Sequence, residues 1–72
     1  MLHTALATVL QRWRGERTYR DVATAAGLPP STVHRVLTGE DVPRDDTIEA
    51  LCVAFGRTQQ ELIAAMAREV AS

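Results

Sequence analysis

A group of hydrogen-bonding side chains follows a pair of prolines near the middle of the chain. The segment PPSTVHRVLTG, residues 29–39, carries hydroxyl, imidazole and guanidinium groups at Ser31, Thr32, His34, Arg35 and Thr38. Such groups donate hydrogen bonds to polar or anionic partners. No carboxylate lies among them, whereas an ordinary solvated helix face mixes acidic and basic residues. The pattern therefore indicates recognition through hydrogen bonds.

The chain offers little for catalysis or metal binding. It contains no nucleophile–base pair, no glycine-rich phosphate loop and no cluster of metal ligands. His3, His34 and Cys52 lie far apart in the sequence. Cys52 belongs to an apolar helical stripe, where a small core residue is expected. The sequence therefore predicts neither an enzyme nor a bound metal or cofactor.

Apolar residues at helical spacing predict five short helices and no strand. The first helix has its apolar stripe at Leu2, Leu6, Val9, Leu10 and Trp13, and it ends at Gly15. The last two helices have theirs at Ile48, Leu51, Cys52 and Phe55, and at Leu62, Ile63, Met66 and Val70.

Capping residues predict where these helices begin and end. Thr18 caps a second helix over 19–26, and Gly27 takes the left-handed conformation that ends it. A third helix starts at about Pro30, because proline suits a first helical turn, and it runs to Thr38. Asp45 or Asp46 caps the fourth helix. Thr58 and Glu61 form a capping box for the fifth.

Composition places the chain among small globular domains. Seventy-two residues fit one domain with a thin stability margin. No apolar run is long enough for a membrane helix, and the N-terminus lacks a signal-peptide pattern. A single cysteine fits a reducing compartment.

The charges are divided unevenly along the chain. Residues 1–38 hold five arginines and two acids, whereas residues 39–72 hold three arginines and seven acids. This distribution predicts one basic and one acidic face.

The residues TYRDVATAAGLPPSTVHRVLTG, 18–39, follow the helix, tight turn and helix order of a helix-turn-helix motif. They resemble the DNA-binding motif of the phage-repressor family (Cro and CI type, XRE-like), and their core is also similar to that of the lactose-repressor family. The likeness rests on Ala23, Gly27, Thr32-Val33, Arg35-Val36 and Gly39.

The flanking segments favour the phage-repressor type. A helix precedes the motif, and VPRDDTIEALCVAFGRTQQEL resembles that family's fourth and fifth helices. The resemblance implies an all-α, compact five-helix lambda-repressor-like domain over residues 1–72. The central motif covers about 18–39, and the C-terminal helices cover about 45–72.

The resemblance also implies that the second motif helix enters the major groove of double-stranded DNA. The base-reading positions carried over are Pro30, Ser31, His34 and Arg35. Arg35 is the strongest of them, because its guanidinium can donate two hydrogen bonds to O6 and N7 of guanine.

The implied phosphate contacts are Arg17, Thr18, Tyr19, Thr32, Thr38 and Arg44. Two of these positions depart from the family pattern. Tyr19 stands where glutamine is common. Arg17 stands where an apolar residue is usual, so its stem is expected along the core and its head at a phosphate.

These observations predict a sequence-specific transcriptional regulator that is a repressor, an activator or both, and that is cytoplasmic and associated with the nucleoid. The low net charge favours a homodimer on an inverted repeat, since two copies double the phosphate contacts. The predicted dimer interface comprises Phe55, Leu62, Ile63, Met66 and Val70. The open alternative is a protein-interaction module of the same fold, either antitoxin-like or a partner of a larger regulator.

Overall fold

The computed structural model describes residues 2–71, with side chains described for residues 4–71. It contains five helices, namely α1 (Leu2–Arg14), α2 (Tyr19–Ala26), α3 (Pro30–Leu37), α4 (Asp45–Phe55) and α5 (Gln59–Ala71). The prediction of an all-α, five-helix fold is confirmed, and the described residues include no strand. The side chains of Leu2 and His3 lie outside the described part, so the predictions for these two residues are not addressed by the structure.

The helices enclose one apolar core. α1 packs against α3 and α5, while α2 packs against α3 and α4. The most deeply buried side chains come from the first four helices, and they are Val9, Leu10, Val22, Val33, Leu37, Leu51 and Cys52. Cys52 is therefore a core residue, as its position in the apolar stripe predicts. Burial, with a smaller effect of the Glu61 charge, raises the pKa of its thiol.

The start of α2 has a reciprocal cap. The Thr18 hydroxyl accepts a hydrogen bond from the Asp21 backbone N–H at 3.0 Å, and the Asp21 carboxylate accepts one from the Thr18 backbone N–H at 3.2 Å. This confirms Thr18 as the N-cap and adds Asp21 as its partner. The two bonds satisfy backbone donors that a helix start leaves without internal partners.

The turn between α2 and α3 is set by Gly27, which has φ 70° as predicted. The Leu28 N–H then returns to the Ala23 carbonyl at 3.0 Å. Pro30 is the first residue of α3, and Thr38 is the C-cap rather than its last helical residue. Buried Val33, Val36 and Leu37 fix α3 to the core.

The predicted cap of α4 is wrong. Arg44 occupies the N-cap position without a side-chain cap bond, and Asp45 and Asp46 lie one and two residues inside the helix. There their negative charges favour the helix start through its dipole, and the Asp46 carboxylate also accepts a hydrogen bond from the Thr47 backbone N–H at 2.8 Å. Within residues 2–71, none of the helices combines the length and the apolar character that a membrane span requires.

The predicted cap of α5 is confirmed. The Thr58 hydroxyl accepts from the Glu61 backbone N–H at 3.0 Å, and the Glu61 carboxylate accepts from the Thr58 backbone N–H at 3.0 Å. That backbone hydrogen bond, with a further one from the Arg57 side chain, lowers the pKa of Glu61.

Candidate nucleic-acid interface

The outer face of α3 presents the polar residues that the sequence singled out. Pro30, Ser31, His34 and Arg35 are exposed, and Thr32 is half-buried. Because Val33, Val36 and Leu37 hold the opposite side in the core, this face has a fixed orientation relative to α2. The four residues predicted to read bases therefore lie together on one helix.

An acidic turn, Glu40 and Asp41, folds back onto the end of α3. The backbone N–H groups of both residues donate to the Arg35 carbonyl, at 2.9 Å and 3.2 Å. Gly39, with φ 81°, reverses the chain so that these bonds form. The turn thereby satisfies a carbonyl that the helix end would otherwise leave without a partner.

The side chains of the acidic turn bind polar groups of the α3 face. The Arg35 Nε–H donates to Asp41 Oδ2 at 2.8 Å. The Thr38 hydroxyl oxygen lies 2.9 Å from Glu40 Oε2 and 2.7 Å from the His34 carbonyl oxygen, and its single O–H is shared between these two acceptors. The His34 Nδ1 lies 3.6 Å from the same Glu40 oxygen. The sequence analysis did not predict this arrangement. The available signal was a pair of acids directly after the glycine that ends α3.

Tyr19, at the start of α2, lies beside the α3 face. Its ring contacts the His34 ring edge-on, with centroids 5.1 Å apart, and the Arg14 guanidinium lies 4.5 Å from the Tyr19 ring centre. The Tyr19 oxygen accepts a hydrogen bond from Gln11 Nε2 at 2.9 Å. Tyr19 is therefore held in place by groups from α1 and α3.

Gln11 fixes the direction of the Tyr19 hydroxyl. Its Nε2 also donates to the Leu37 carbonyl at 3.0 Å, and its Oε1 accepts from Arg14 Nε at 2.9 Å. These two partners determine which end of the amide is nitrogen. The Tyr19 oxygen thus acts as acceptor toward Gln11, and its own O–H remains available as a donor. Sequence reasoning missed Gln11 because nothing in the pattern links this residue to Tyr19, eight residues further along, or to Leu37, 26 residues further along.

Arg17 does not join this group. Its guanidinium donates to the carbonyls of Trp13 at 3.1 Å and of Arg14 and Ala54 at 3.4 Å. It also lies 5.1 Å from the centre of the Phe55 ring. Arg17 therefore binds the C-terminal ends of α1 and α4, where a positive charge is favoured by both helix dipoles.

The other predicted phosphate contacts are scattered around the motif. The Thr18 hydroxyl accepts the capping bond and keeps its own hydrogen as a donor. The Thr38 hydroxyl is directed to its own helix and to Glu40. The Arg44 side chain is 87% exposed and lies 3.9 Å from the Asp46 carboxylate, so it is free to change rotamer.

The residues predicted for a dimer interface divide into core and surface. Leu62 is buried, and Phe55 and Met66 are half-buried against the core. Ile63 and Val70 are 66% and 61% exposed. Leu62 is therefore a core residue of the monomer.

The C-terminal half also exposes Val53, at 71%, which the sequence analysis did not include. An apolar groove of about 250 Å³ lies between α1, α4 and α5, and it is lined mainly by Leu6, Ile48, Leu62, Ile63 and Met66.

Comparison with known families agrees with this geometry. A family model described as a helix-turn-helix domain matches residues 5–66. The chain therefore belongs to the helix-turn-helix domain family, a class of DNA-binding domain in which the second motif helix is the recognition helix. No curated protein and no solved structure matches the chain.

Proposed function

We propose that the chain is a sequence-specific transcriptional regulator that binds double-stranded DNA through the outer face of α3. The observation that carries the proposal is the division of this helix. One side is fixed in the core, and the other presents Ser31, His34 and Arg35 with no carboxylate inside the helix. A helix held in this way fits the major groove, which is about 12 Å wide.

Each exposed group then has a role set by its chemistry. The terminal nitrogens of Arg35 donate to guanine O6 and N7, Ser31 donates or accepts, and Pro30 touches a thymine methyl group. The Tyr19 O–H and the Thr18 hydroxyl donate to phosphates, which position the helix without reading sequence. By resemblance this is a regulator of the phage-repressor type, acting in the cytoplasm at the nucleoid.

The proposal includes a homodimer. A chain with net charge −1 has few phosphate contacts, and a second copy on an inverted repeat doubles them. The half-sites would be centred about 34 Å apart, one turn of DNA. Exposed Ile63 and Val70 supply apolar surface for this contact, and half-buried Phe55 and Met66 are its remaining candidates. The dimer would be excluded if sedimentation found only the 7.9 kDa monomer at high protein concentration and only one protein chain bound to each selected duplex.

The experiment that tests the function is selection from a random duplex library at about 0.15 M salt, where specific and non-specific binding separate. An enriched inverted repeat is expected. Arg35→Ala is expected to lose its preference for one G·C pair per half-site, which corresponds to about 1–3 kcal/mol of discrimination against the wrong base.

Arg68→Ala is the matched control. It removes the same charge from an exposed position near the end of α5, far along the chain from the motif. Its site preference is expected to equal that of the wild type. No enrichment by the wild-type protein would refute the proposed function.

A second function is favoured by one observation. The acidic turn neutralises Arg35, while exposed Ile63 of α5 lines the apolar groove. A protein-interaction module, antitoxin-like or a partner of a larger regulator, would use that surface. The test is Ile63→Glu. This function would be favoured over the first if the variant lost its regulatory activity in cells while its affinity for duplex DNA and its sedimentation stayed unchanged.

A further inference from the structure

We propose that Asp41 is a specificity-determining residue that acts on DNA recognition by positioning Arg35. The inference rests on the proposed function, because Arg35 must read a base for its position to matter. The observation behind it is the contact between Arg35 Nε and Asp41 Oδ2 at 2.8 Å, made by two side chains that are each about half exposed.

The backbone holds Asp41 in place for this contact. Its N–H donates to the carbonyl of Arg35 itself at 3.2 Å, next to the parallel bond from Glu40 at 2.9 Å. The carboxylate is therefore anchored to the same residue whose guanidinium it binds. The position of the guanidinium is then set by the fold before DNA arrives, although a free arginine samples many rotamers.

The contact leaves the reading edge of Arg35 open. A guanidinium has five N–H donors, and the bond to Asp41 uses the one on Nε. The two terminal nitrogens still present a parallel pair of donors, which matches O6 and N7 of guanine. Asp41 thus fixes the side chain without occupying the edge that reads the base.

The contact also changes the electrostatics of non-specific binding. A phosphate attracts any exposed arginine regardless of sequence, and this attraction dominates non-specific affinity. A carboxylate 2.8 Å away cancels most of that attraction and repels phosphates itself. The hydrogen bonds to guanine depend on donor geometry and are retained. Asp41 therefore raises the ratio of specific to non-specific affinity while lowering affinity for DNA as a whole.

The test uses Asp41→Asn, which keeps the size of the side chain but removes its charge, so that any remaining bond from Arg35 Nε is a weaker one to a neutral amide oxygen. Three duplexes are compared, namely the selected site, the same site with the G·C pair read by Arg35 replaced by A·T, and a scrambled sequence. The variant is expected to bind the scrambled duplex several-fold more tightly. Its preference for G·C over A·T is expected to fall about tenfold, within the range of one bidentate contact.

Two further variants separate positioning from charge. Glu40→Gln removes an equal charge from the adjacent residue, whose side chain contacts Thr38 and His34 instead of the Arg35 guanidinium. It is expected to tighten scrambled binding in the same way while leaving the G·C preference at the wild-type value. Asp41→Glu keeps a carboxylate and is expected to recover part of the preference. Circular dichroism establishes that each variant is folded.

The outcomes discriminate between the two proposals. Equal loss of preference in Asp41→Asn and Glu40→Gln would overturn the inference, since charge alone would then explain both. Unchanged preference in Asp41→Asn would overturn it as well, while leaving the DNA-binding function intact. Failure of the wild-type protein to select any duplex would refute the proposed function, and this inference with it.

Discussion

Replacing Arg17 distinguishes the structural role of this residue from the phosphate contact predicted by the sequence. Its guanidinium binds the carbonyls that end α1 and α4 and lies over the Phe55 ring. A cation at a helix C-terminus stabilises by about 0.3–1 kcal/mol, and the hydrogen bonds to the carbonyls are part of this figure. An exposed cation–π contact adds about 0.5–1 kcal/mol.

Arg17→Ala is therefore expected to destabilise the domain by about 1–2 kcal/mol. In a domain of this size that change lowers Tm by roughly 5–12 °C. The assay is urea unfolding followed by helical circular dichroism and by the fluorescence of Trp13, whose ring packs edge-on against Phe55 at 6.3 Å. DNA affinity, measured well below Tm where the variant is folded, is expected to stay within twofold of the wild type.

Arg68→Ala provides the comparison, because Arg68 is an exposed arginine in the last turn of α5, whereas Arg17 reaches its helix ends from the loop after α1. This variant is expected to lower the free energy of unfolding by less than about 1 kcal/mol, since only the interaction with the helix dipole is lost. The reasoning would be refuted if Arg17→Ala kept its unfolding free energy and lost DNA affinity at least fivefold. That result would place the guanidinium at a phosphate and mean that the carbonyl contacts contribute nothing to stability.

Two other substitutions test the cap of α5 and the hydrogen bond between Gln11 of α1 and Tyr19. In Glu61→Gln the pH dependence of stability is expected to weaken. The lowered pKa of Glu61 contributes stability that is fully present above the ordinary value of 4.5 and is lost as pH falls through the lowered value. Urea unfolding at pH 7 and pH 3 measures this difference, and equal pH dependence in the variant and the wild type would count against the cap. Tyr19→Phe is expected to reduce DNA affinity severalfold while costing only about 0.5–1 kcal/mol of stability, because Gln11 keeps the Leu37 carbonyl as a partner. A loss of stability without a loss of affinity would show that the hydroxyl serves the fold alone.

The sequence was sufficient for the helices and their order because the signals are local. Apolar spacing, the Thr18 and Thr58 caps and the left-handed Gly27 each depend on residues within one or two turns. The start of α4 was misplaced because an aspartate is equally suited to the cap and to the first turn. Local preference alone cannot choose between these two positions.

The exposed polar face of α3 was predicted from the sequence, but the contacts of that face were not. The α3 face follows from helical spacing, which the sequence contains. The partners of that face do not. Gln11 reaches Tyr19 from α1, and Arg17 reaches the end of α4, 37 residues further along. Such contacts depend on how separate helices are packed, and side chains as long as arginine and glutamine have several possible partners.

The division of α3 into two sides has a consequence for how its binding preference can change over time. An isolated helix of eight residues is unstable in water, so α3 exists only through the apolar side that the core holds. Ser31 and His34 lie on the opposite, exposed side, where substitutions are usually within about 0.5 kcal/mol of neutral. New recognition properties can therefore arise by mutation at those positions with almost no folding penalty, even in a domain whose total stability is small.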